Sequence, residues 1–432
     1  MQEPNKTKPP ESAEQESERE TLSLSRLLLG GALTGPSHVG NEAALEGVVH
    51  IIREIAPQSE IVALTDGGRP TEKRLGIKTL PSPNFTDDPS AFEQAVERFA
   101  SYDVFVWIGS TGRHTDPEQP LKLIAAAQEA KLPSVIFCAD LTPQLHPVYA
   151  AVDTKTETRF FETIKFFTAG IMDLRKDRQT KKDAAVRESL GDVMPKVDLI
   201  AVCDERTKSD LEGLSQNNQS VHLGVDPAIA LTYPDLDTCR IPKLSKDFIE
   251  QAGIKIGICF DDSSTPLFLN HIVPLLEALV EKHNARLLGI PMQIAPPSSN
   301  LNQIQDKLKK PEAMHVLPHG YAPDEVAAAV SRLDLVLTDQ RDLLVLASVS
   351  LTPFLGLSNS PSVSAFIDLF GLPKFGDPQV EDVDEIQQEV ARLLESRTSF
   401  RREAKIVRIQ LLKRLKETKR QLEDFLTKTL QT

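Results

Sequence analysis

Residues 338–371, TDQRDLLVLASVSLTPFLGLSNSPSVSAFIDLFG, combine an apolar run, a short strand, a polar turn and a helix. The apolar run DLLVLASV has the length and composition of a buried helix, and TPFLGLS has those of a buried strand. Helices that alternate with strands in this way build parallel α/β sheets. The stretch therefore predicts an α/β domain in the C-terminal part of the chain.

The same alternation extends through most of the chain. Its strand segments are apolar throughout, as in EIVALT, YDVFVWIGS and PSVIFCAD of the first half and IKIGICFD and DLVLTD of the second. Continuous apolar runs are typical of parallel strands that helices cover on both faces. The sequence therefore predicts an α/β protein with two Rossmann-like, doubly wound domains that face each other across a cleft, the architecture called GT-B.

Changes in composition set the predicted domain boundaries. Residues 25–235 are predicted to form the first Rossmann-like domain and residues 251–397 the second. The intervening residues 236–250 are rich in turn formers and charge, which is typical of a linker. Residues 1–24 contain almost no apolar side chains, which predicts a disordered, acidic and polar tail.

The last segment, residues 398–432, predicts a long basic amphipathic helix. The residues that recur in it at helical spacing, between many Lys and Arg residues, are Ala404, Val407, Leu411, Leu415, Thr418, Leu422 and Phe425. One interpretation is a helix that docks on its own or the neighbouring domain and leaves a charged face in solvent. The other is a contact surface, either a coiled coil that forms a homodimer or a peripheral membrane contact with anionic lipid.

Bulk composition excludes several classes of function. The 432 residues carry a formal net charge of -13, which argues against a nucleic-acid partner. No stretch approaches the roughly 20 uninterrupted apolar residues of a membrane span. The chain begins without the features of a signal peptide, so a cytoplasmic location is expected. The cysteines are Cys138, Cys203, Cys239 and Cys259. They are far apart in the sequence, which predicts reduced, buried thiols and no metal site.

Four segments between residues 28 and 372 resemble the polysaccharide pyruvyl transferase family. Residues 338–371 resemble the closing signature of that family, in which a helix is followed by a strand ending in Gly-x-Ser and then by Pro-Lys-Val-x-x-Phe. The positions in register are Gly356, Ser358, Pro361, Val363, Phe366 and Gly371. The other matching segments are Gly40 to Ala43, Cys203 to Glu205, and Asp226 to Ala228.

The resemblance implies a transferase that moves the enolpyruvyl group of phosphoenolpyruvate to a saccharide or lipid-linked saccharide acceptor, without a cofactor or metal. This chain departs from the family at four positions. Cys203 and Gln340 stand where the family has Arg, Asp342 where it has His, and Ser362 where it has Lys. Two other hypotheses therefore stay open: a GT-B glycosyltransferase-like enzyme that uses a nucleotide sugar, and a non-catalytic relative that acts in binding or assembly.

Polar side chains that follow the predicted strands are candidate site residues, because doubly wound sheets bind ligands beyond the carboxyl ends of their strands. Guanidinium groups hold phosphate and carboxylate, and histidine transfers protons near neutral pH. The candidate catalytic residues are His319, Asp342 and Asp204. The candidate substrate-binding residues are His38, Asn41, Arg113, His114, Arg206, Arg341 and Ser358.

Some of these residues also have a simple structural interpretation. Asp204 and Asp339 precede predicted helices and suit the N-cap position. Asp342 lies in the first turn of a helix, where negative charge is favourable. Arg341 is equally plausible on a helix surface, and His319 can be structural.

Overall fold

The computed structural model describes residues 25–31, 38–65, 67–85, 88–109, 118–139, 174–214, 220–260, 266–293, 300–358, 360–376 and 382–430. The predicted N-terminal tail lies outside these residues. So do two candidate site residues, Arg113 and His114.

A seven-stranded parallel sheet contains the strands of the first half of the chain, in the order β3-β2-β1-β4-β5-β6-β7. These strands are β1 Arg26–Gly31, β2 Glu60–Leu64, β3 Lys78–Leu80, β4 Val104–Ile108, β5 Ser134–Ala139, β6 Leu199–Val202 and β7 Val221–Leu223. All residues of β4 and β5 are buried. Helices cover both faces of a sheet of this kind, which explains why its strands are apolar on both sides.

A second parallel sheet has five strands in the order β10-β9-β8-β11-β12. These strands are β8 Lys255–Cys259, β9 Arg286–Gly289, β10 Met314–Val316, β11 Leu335–Thr338 and β12 Phe354–Gly356. Residues 338–371 therefore supply the end of β11, a helix, the edge strand β12 and another helix. The two parallel sheets confirm the predicted α/β class with two Rossmann-like halves.

Helices connect successive strands in both sheets. The first half contains α1 Val39–Ile55, α2 Gly68–Leu75, α3 Ala91–Phe99, α4 Glu118–Glu129, α5 Leu174–Val193 and α6 Glu205–Leu214. The second sheet is accompanied by α8 Pro266–His283, α9 Asn300–Lys307, α10 Pro323–Val330, α11 Arg341–Val349, α12 Pro361–Leu369 and α13 Val383–Glu395. Along the chain, the segment predicted as a linker lies between the strands of the two sheets, and its residues Lys243–Glu250 form the helix α7.

The C-terminal helix α14 spans Arg397–Leu430 and packs against both halves of the protein. It contacts α11 and α13 beside the second sheet and β6 and β7 of the first. Its buried face consists of Phe400, Ala404, Leu411, Leu415, Thr418, Leu422 and Leu426. The helix is thus docked on its own chain along five of the seven predicted positions, and the other two, Val407 and Phe425, are half-buried. Within the described ranges, none of the helices combines the length and the apolar character needed to cross a bilayer.

Candidate functional site

The carboxyl edges of the two sheets meet where α1 begins. The backbone N–H of Val39 donates to the carbonyl of Met292 at 3.0 Å, and His38 forms an isolated antiparallel bridge with Gln293. Val39 lies beyond the end of β1, and Met292 lies beyond the end of β9. Because ligands of doubly wound sheets bind at carboxyl edges, this junction identifies the cleft between the halves as the candidate functional site.

Asp342 packs directly on the N-terminus of α1. A Cβ atom added to Gly40 would lie 1.8 Å from Oδ2 of Asp342 and 2.4 Å from its Cβ. Only glycine allows this approach, which places a carboxylate where the dipole of α1 is positive. The candidates His38, Asn41 and Asp342 are therefore close together, at the contact between the halves.

Arg341 forms an ion pair across the two halves. Its Nη1 donates to Oδ2 of Asp226 at 2.9 Å, and the two side chains are only 12% and 11% exposed. Asp226 follows β7 of the first sheet, and its other oxygen accepts from the N–H of Ala228 at 2.9 Å. The pair thus joins the loop after β7 to the start of α11, and it brings the guanidinium of Arg341 to a carboxylate of the protein itself.

Sequence reasoning did not include Asp226 among the candidate site residues. It lies in a segment that resembles the pyruvyl transferases, and the Asp-Pro dipeptide indicates a capped turn. The pairing with Arg341, 115 residues away, has no sequence signal of its own.

The start of α11 differs from the prediction. The N-cap is Gln340, so the assignment of that role to Asp339 is wrong. The hydroxyl of Thr338 accepts the N–H of Gln340 at 3.0 Å, and this turn delays the helix by one residue. The Asp339 carboxylate instead accepts from the Gln340 amide at 2.9 Å.

Asp204 and Arg206 lie at the beginning of α6, after β6. Both carboxylate oxygens of Asp204 accept hydrogen bonds from Thr207, one from its N–H and one from its hydroxyl, each at 2.8 Å. This is the geometry of a helix N-cap. Arg206 is 55% exposed and lies 4.0 Å from Asp210, one turn further along the helix. Asp204 thus has a structural role, and the Arg206 side chain extends into solvent.

The second sheet contributes His319 and a turn rich in serine. His319 is exposed just beyond β10, and Gly320 follows it with a φ of +91°, a conformation that favours glycine. Ser358 is buried after β12, where its Oγ accepts from the N–H of Ser360 at 3.1 Å. The hydroxyls of Ser360 and Ser362 are 3.0 Å apart at the start of α12. His319 and the serines therefore share the carboxyl edge of the second sheet but lie at its opposite ends, because β10 and β12 are its outermost strands. Four strand spacings of about 4.8 Å each separate them.

The thiol of Cys138 is buried near the carboxyl end of β5, in the first sheet. Burial raises its pKa to about 12, and the nearby Asp226 carboxylate acts in the same direction. Cys203, which stands where the resembled family has Arg, donates its S–H to the Cys138 carbonyl at 2.6 Å. All four cysteines are buried thiols that form no disulfide bond, as the sequence predicted.

We expect the folded protein to resist thiol reagents. The thiolate is the reactive form, and burial keeps the Cys138 thiol protonated at neutral pH. Ellman's reagent at pH 8 should therefore modify none of the four cysteines quickly, and all four once urea unfolds the chain. Rapid modification of a Cys138-only variant, in which the other three cysteines are serine, would contradict this prediction.

Comparison with protein-family models and with curated proteins finds no match. Solved structures share the fold at low sequence identity. A UDP-GlcNAc 2-epimerase from Neisseria meningitidis bound to UDP-GlcNAc is 13% identical with a TM-score of 0.54, covering 91% of this chain and 100% of that one. The Anabaena protein HepE in complex with UDP-glucose is 12% identical with a TM-score of 0.57, covering 93% and 100%. A ugt transferase from Siraitia grosvenorii in complex with UDP is 13% identical with a TM-score of 0.55, covering 94% and 100%.

These similarities extend over both halves of the chain and confirm the predicted GT-B-like fold. At 12% to 13% identity they show the fold alone.

Proposed function

We propose that this protein is a GT-B glycosyltransferase-like enzyme that acts on a nucleotide-activated sugar. The observation that carries the proposal is the junction of the two carboxyl edges, formed by the Val39–Met292 hydrogen bond and the Arg341–Asp226 ion pair. In this proposal the ligand lies beside that junction, between the two Rossmann-like halves. Three similar folds are described with UDP, UDP-glucose or UDP-GlcNAc bound.

The second half has suitable groups for the nucleotide. A diphosphate needs hydrogen-bond donors, and helix N-termini attract its negative charge. Ser360 and Ser362 place hydroxyl donors at the N-terminus of α12. His319, at the other end of this carboxyl edge, offers a separate ring N–H that a phosphate or ribose oxygen can accept. In this proposal the second half binds the donor, and the first half, with His38 and Asn41, faces the saccharide acceptor.

The resemblance to pyruvyl transferases stays a prediction that binding experiments can test. Phosphoenolpyruvate has a phosphate and a carboxylate, which favour guanidinium groups as ligands. In this structure the guanidinium of Arg341 is bound to Asp226. Nucleotide sugars are therefore the first donors to test, with phosphoenolpyruvate in the same panel.

Substitution of His319 should weaken donor binding. We expect saturable binding of UDP, UDP-glucose or UDP-GlcNAc in isothermal titration, and a loss of about tenfold in affinity for His319→Ala, since a hydrogen bond to a charged group contributes roughly 1.5 to 3 kcal/mol. The side chain is exposed, so its removal should leave the fold intact.

The matched control is His283→Ala. His283 belongs to the same half but ends α8 just before β9, at the opposite edge of the sheet, and its removal should leave affinity unchanged. Binding of phosphoenolpyruvate alone would reject the nucleotide-sugar proposal in favour of the pyruvyl transferase prediction. If a folded protein binds no donor, the non-catalytic hypothesis gains instead.

A further inference from the structure

One face of α14 is a straight stripe of exposed basic and apolar side chains. Its members are separated alternately by four and three residues, a spacing that keeps them on one side of a helix. Ile406 is 54% exposed and Ile409 is 47% exposed. We call this face the outer stripe; its members, all exposed, are Arg402, Ile406, Ile409, Lys413, Lys416 and Arg420.

The outer stripe lies opposite the face that packs on the protein. Leu411, Leu415, Thr418 and Leu422 are buried against the chain's own elements, which fixes the rotation of the helix about its axis. The stripe therefore points away from the core over about 27 Å, given a rise of roughly 1.5 Å per residue. Exposed isoleucines in the middle of a basic face are not explained by the packing of the helix.

The charge of this helix is opposite to that of the whole chain. Residues 397–430 contain eleven Lys and Arg against four Asp and Glu, a net charge of +7, whereas the chain carries -13. Within the part of the chain that the structure describes, the four cations of the outer stripe form no ion pair. Their charge is thus directed to solvent.

We propose that the outer stripe binds the surface of a membrane that contains anionic lipids. Lys and Arg near such a surface are attracted to the lipid headgroups, and exposed isoleucines between them can enter the boundary between headgroups and acyl chains. The docked helix lies flat on the protein and presents both kinds of side chain in one line. This inference is independent of the proposed enzymatic function.

A second copy of the chain is a poorer occupant of this face. Pairing two outer stripes would place four cations against four cations, and like charges in contact are destabilising. Two partly exposed isoleucines offer little apolar area to offset that repulsion. An anionic surface, in contrast, complements the whole stripe.

Co-sedimentation with vesicles tests the proposal on the full chain. We expect binding to phosphatidylcholine vesicles that contain about 30% phosphatidylglycerol, which should fall as salt rises well above about 0.1 M. Vesicles of phosphatidylcholine alone should bind little. Lys413→Gln/Lys416→Gln should lower the partition coefficient by about 25-fold, because each cation contributes roughly a factor of five.

Matched variants separate the stripe from general effects of charge and hydrophobicity. Ile406→Ser/Ile409→Ser should also weaken binding, whereas Leu244→Ser, at a leucine that is 72% exposed elsewhere, should not. Lys307→Gln/Lys310→Gln removes two exposed lysines of the second half and should leave binding unchanged.

Three results would overturn the proposal. They are equal binding to both kinds of vesicle, equal loss in the control variants, and a lipid-free dimer in light scattering that the isoleucine variant dissociates. The last result would assign the stripe to a second copy of the chain. Far-ultraviolet circular dichroism of each variant establishes that it is folded.

Discussion

Arg341→Ala should lower the free energy of unfolding by about 3 kcal/mol, because it leaves the Asp226 carboxylate in the junction without its charge partner. The side chains of Arg341 and Asp226 are 12% and 11% exposed, so water can solvate the unpaired Asp226 carboxylate only slightly. The value lies at the lower end of the usual range for such pairs, since Asp226 still accepts from the N–H of Ala228. Urea denaturation followed by circular dichroism measures the loss.

A second ion pair between the halves provides the matched control. Arg332 lies 3.0 Å from Asp235, but these side chains are 50% and 60% exposed. Arg332→Ala should therefore cost less than about 1 kcal/mol, as is typical of ion pairs in solvent. Equal effects of the two arginine variants would show that burial of the Arg341 pair does not determine its contribution.

The remaining charge can be tested in the same background. Asp226→Asn keeps an oxygen that can accept from Ala228 and removes the negative charge. Combined with Arg341→Ala, it should recover about 1 kcal/mol of the lost stability, since the uncompensated charge is gone. No recovery in the double variant would mean that lost packing of the Arg341 side chain, and not the uncompensated charge of Asp226, causes the loss.

Gly40→Ala should be the other strongly destabilising substitution, with a loss of about 2 to 3 kcal/mol from overpacking. The added Cβ would lie 1.8 Å from Oδ2, 2.1 Å from Cγ and 2.4 Å from Cβ of Asp342. Rotation of the Asp342 side chain cannot relieve a contact with its own Cβ. The first turn of α1 and the start of α11 must therefore move apart, and the junction opens.

Removal of the opposing side chain identifies the cause of that loss. Asp342→Gly, added to Gly40→Ala, should restore most of the free energy of unfolding that Gly40→Ala loses. The recovery should fall short by about 1 kcal/mol, the cost of a glycine within a helix. Asp342→Ala should restore less, because its Cβ stays within 2.4 Å. If both double variants are as unstable as Gly40→Ala alone, the contact with Asp342 is not responsible.

The control for an added methyl group is Gly191→Ala. Gly191 lies within α5, and a Cβ there meets no atom within 4 Å. Alanine at this helical position should stabilise the protein by roughly 0.5 to 1 kcal/mol. Urea denaturation of the two alanine variants side by side separates helix propensity from steric conflict.

Much of the fold follows from local patterns in the sequence. Continuous apolar runs predicted the central strands of both sheets, and all of VFVWI in β4 is buried. The C-terminal helix was predicted at 398–432 and is observed at Arg397–Leu430, with Leu411, Leu415 and Leu422 buried as expected. Such patterns are reliable because strand and helix periodicity depends on neighbours within a few residues.

Less of the candidate site followed from sequence. The rule that polar residues follow parallel strands identified His319, Arg341 and Asp342 as residues to inspect. It did not give their partners, because Arg341 binds Asp226 and Asp342 packs on Gly40 from opposite halves of the chain. The misplaced N-cap at Asp339 has a different, local cause, since a hydrogen bond between the Thr338 hydroxyl and the N–H of Gln340 lies at the start of the helix.

The sequence by itself determined the elements, the buried strands and the docked face of the long helix, because these depend on short-range periodicity and on the exclusion of apolar surface from water. Only the tertiary structure decided which residues meet at the junction. A residue such as Gly40 is compatible with many turns, and its requirement for glycine arises from a carboxylate about 300 positions later in the chain. Contacts of this kind depend on how the two halves are oriented, which local sequence patterns do not encode.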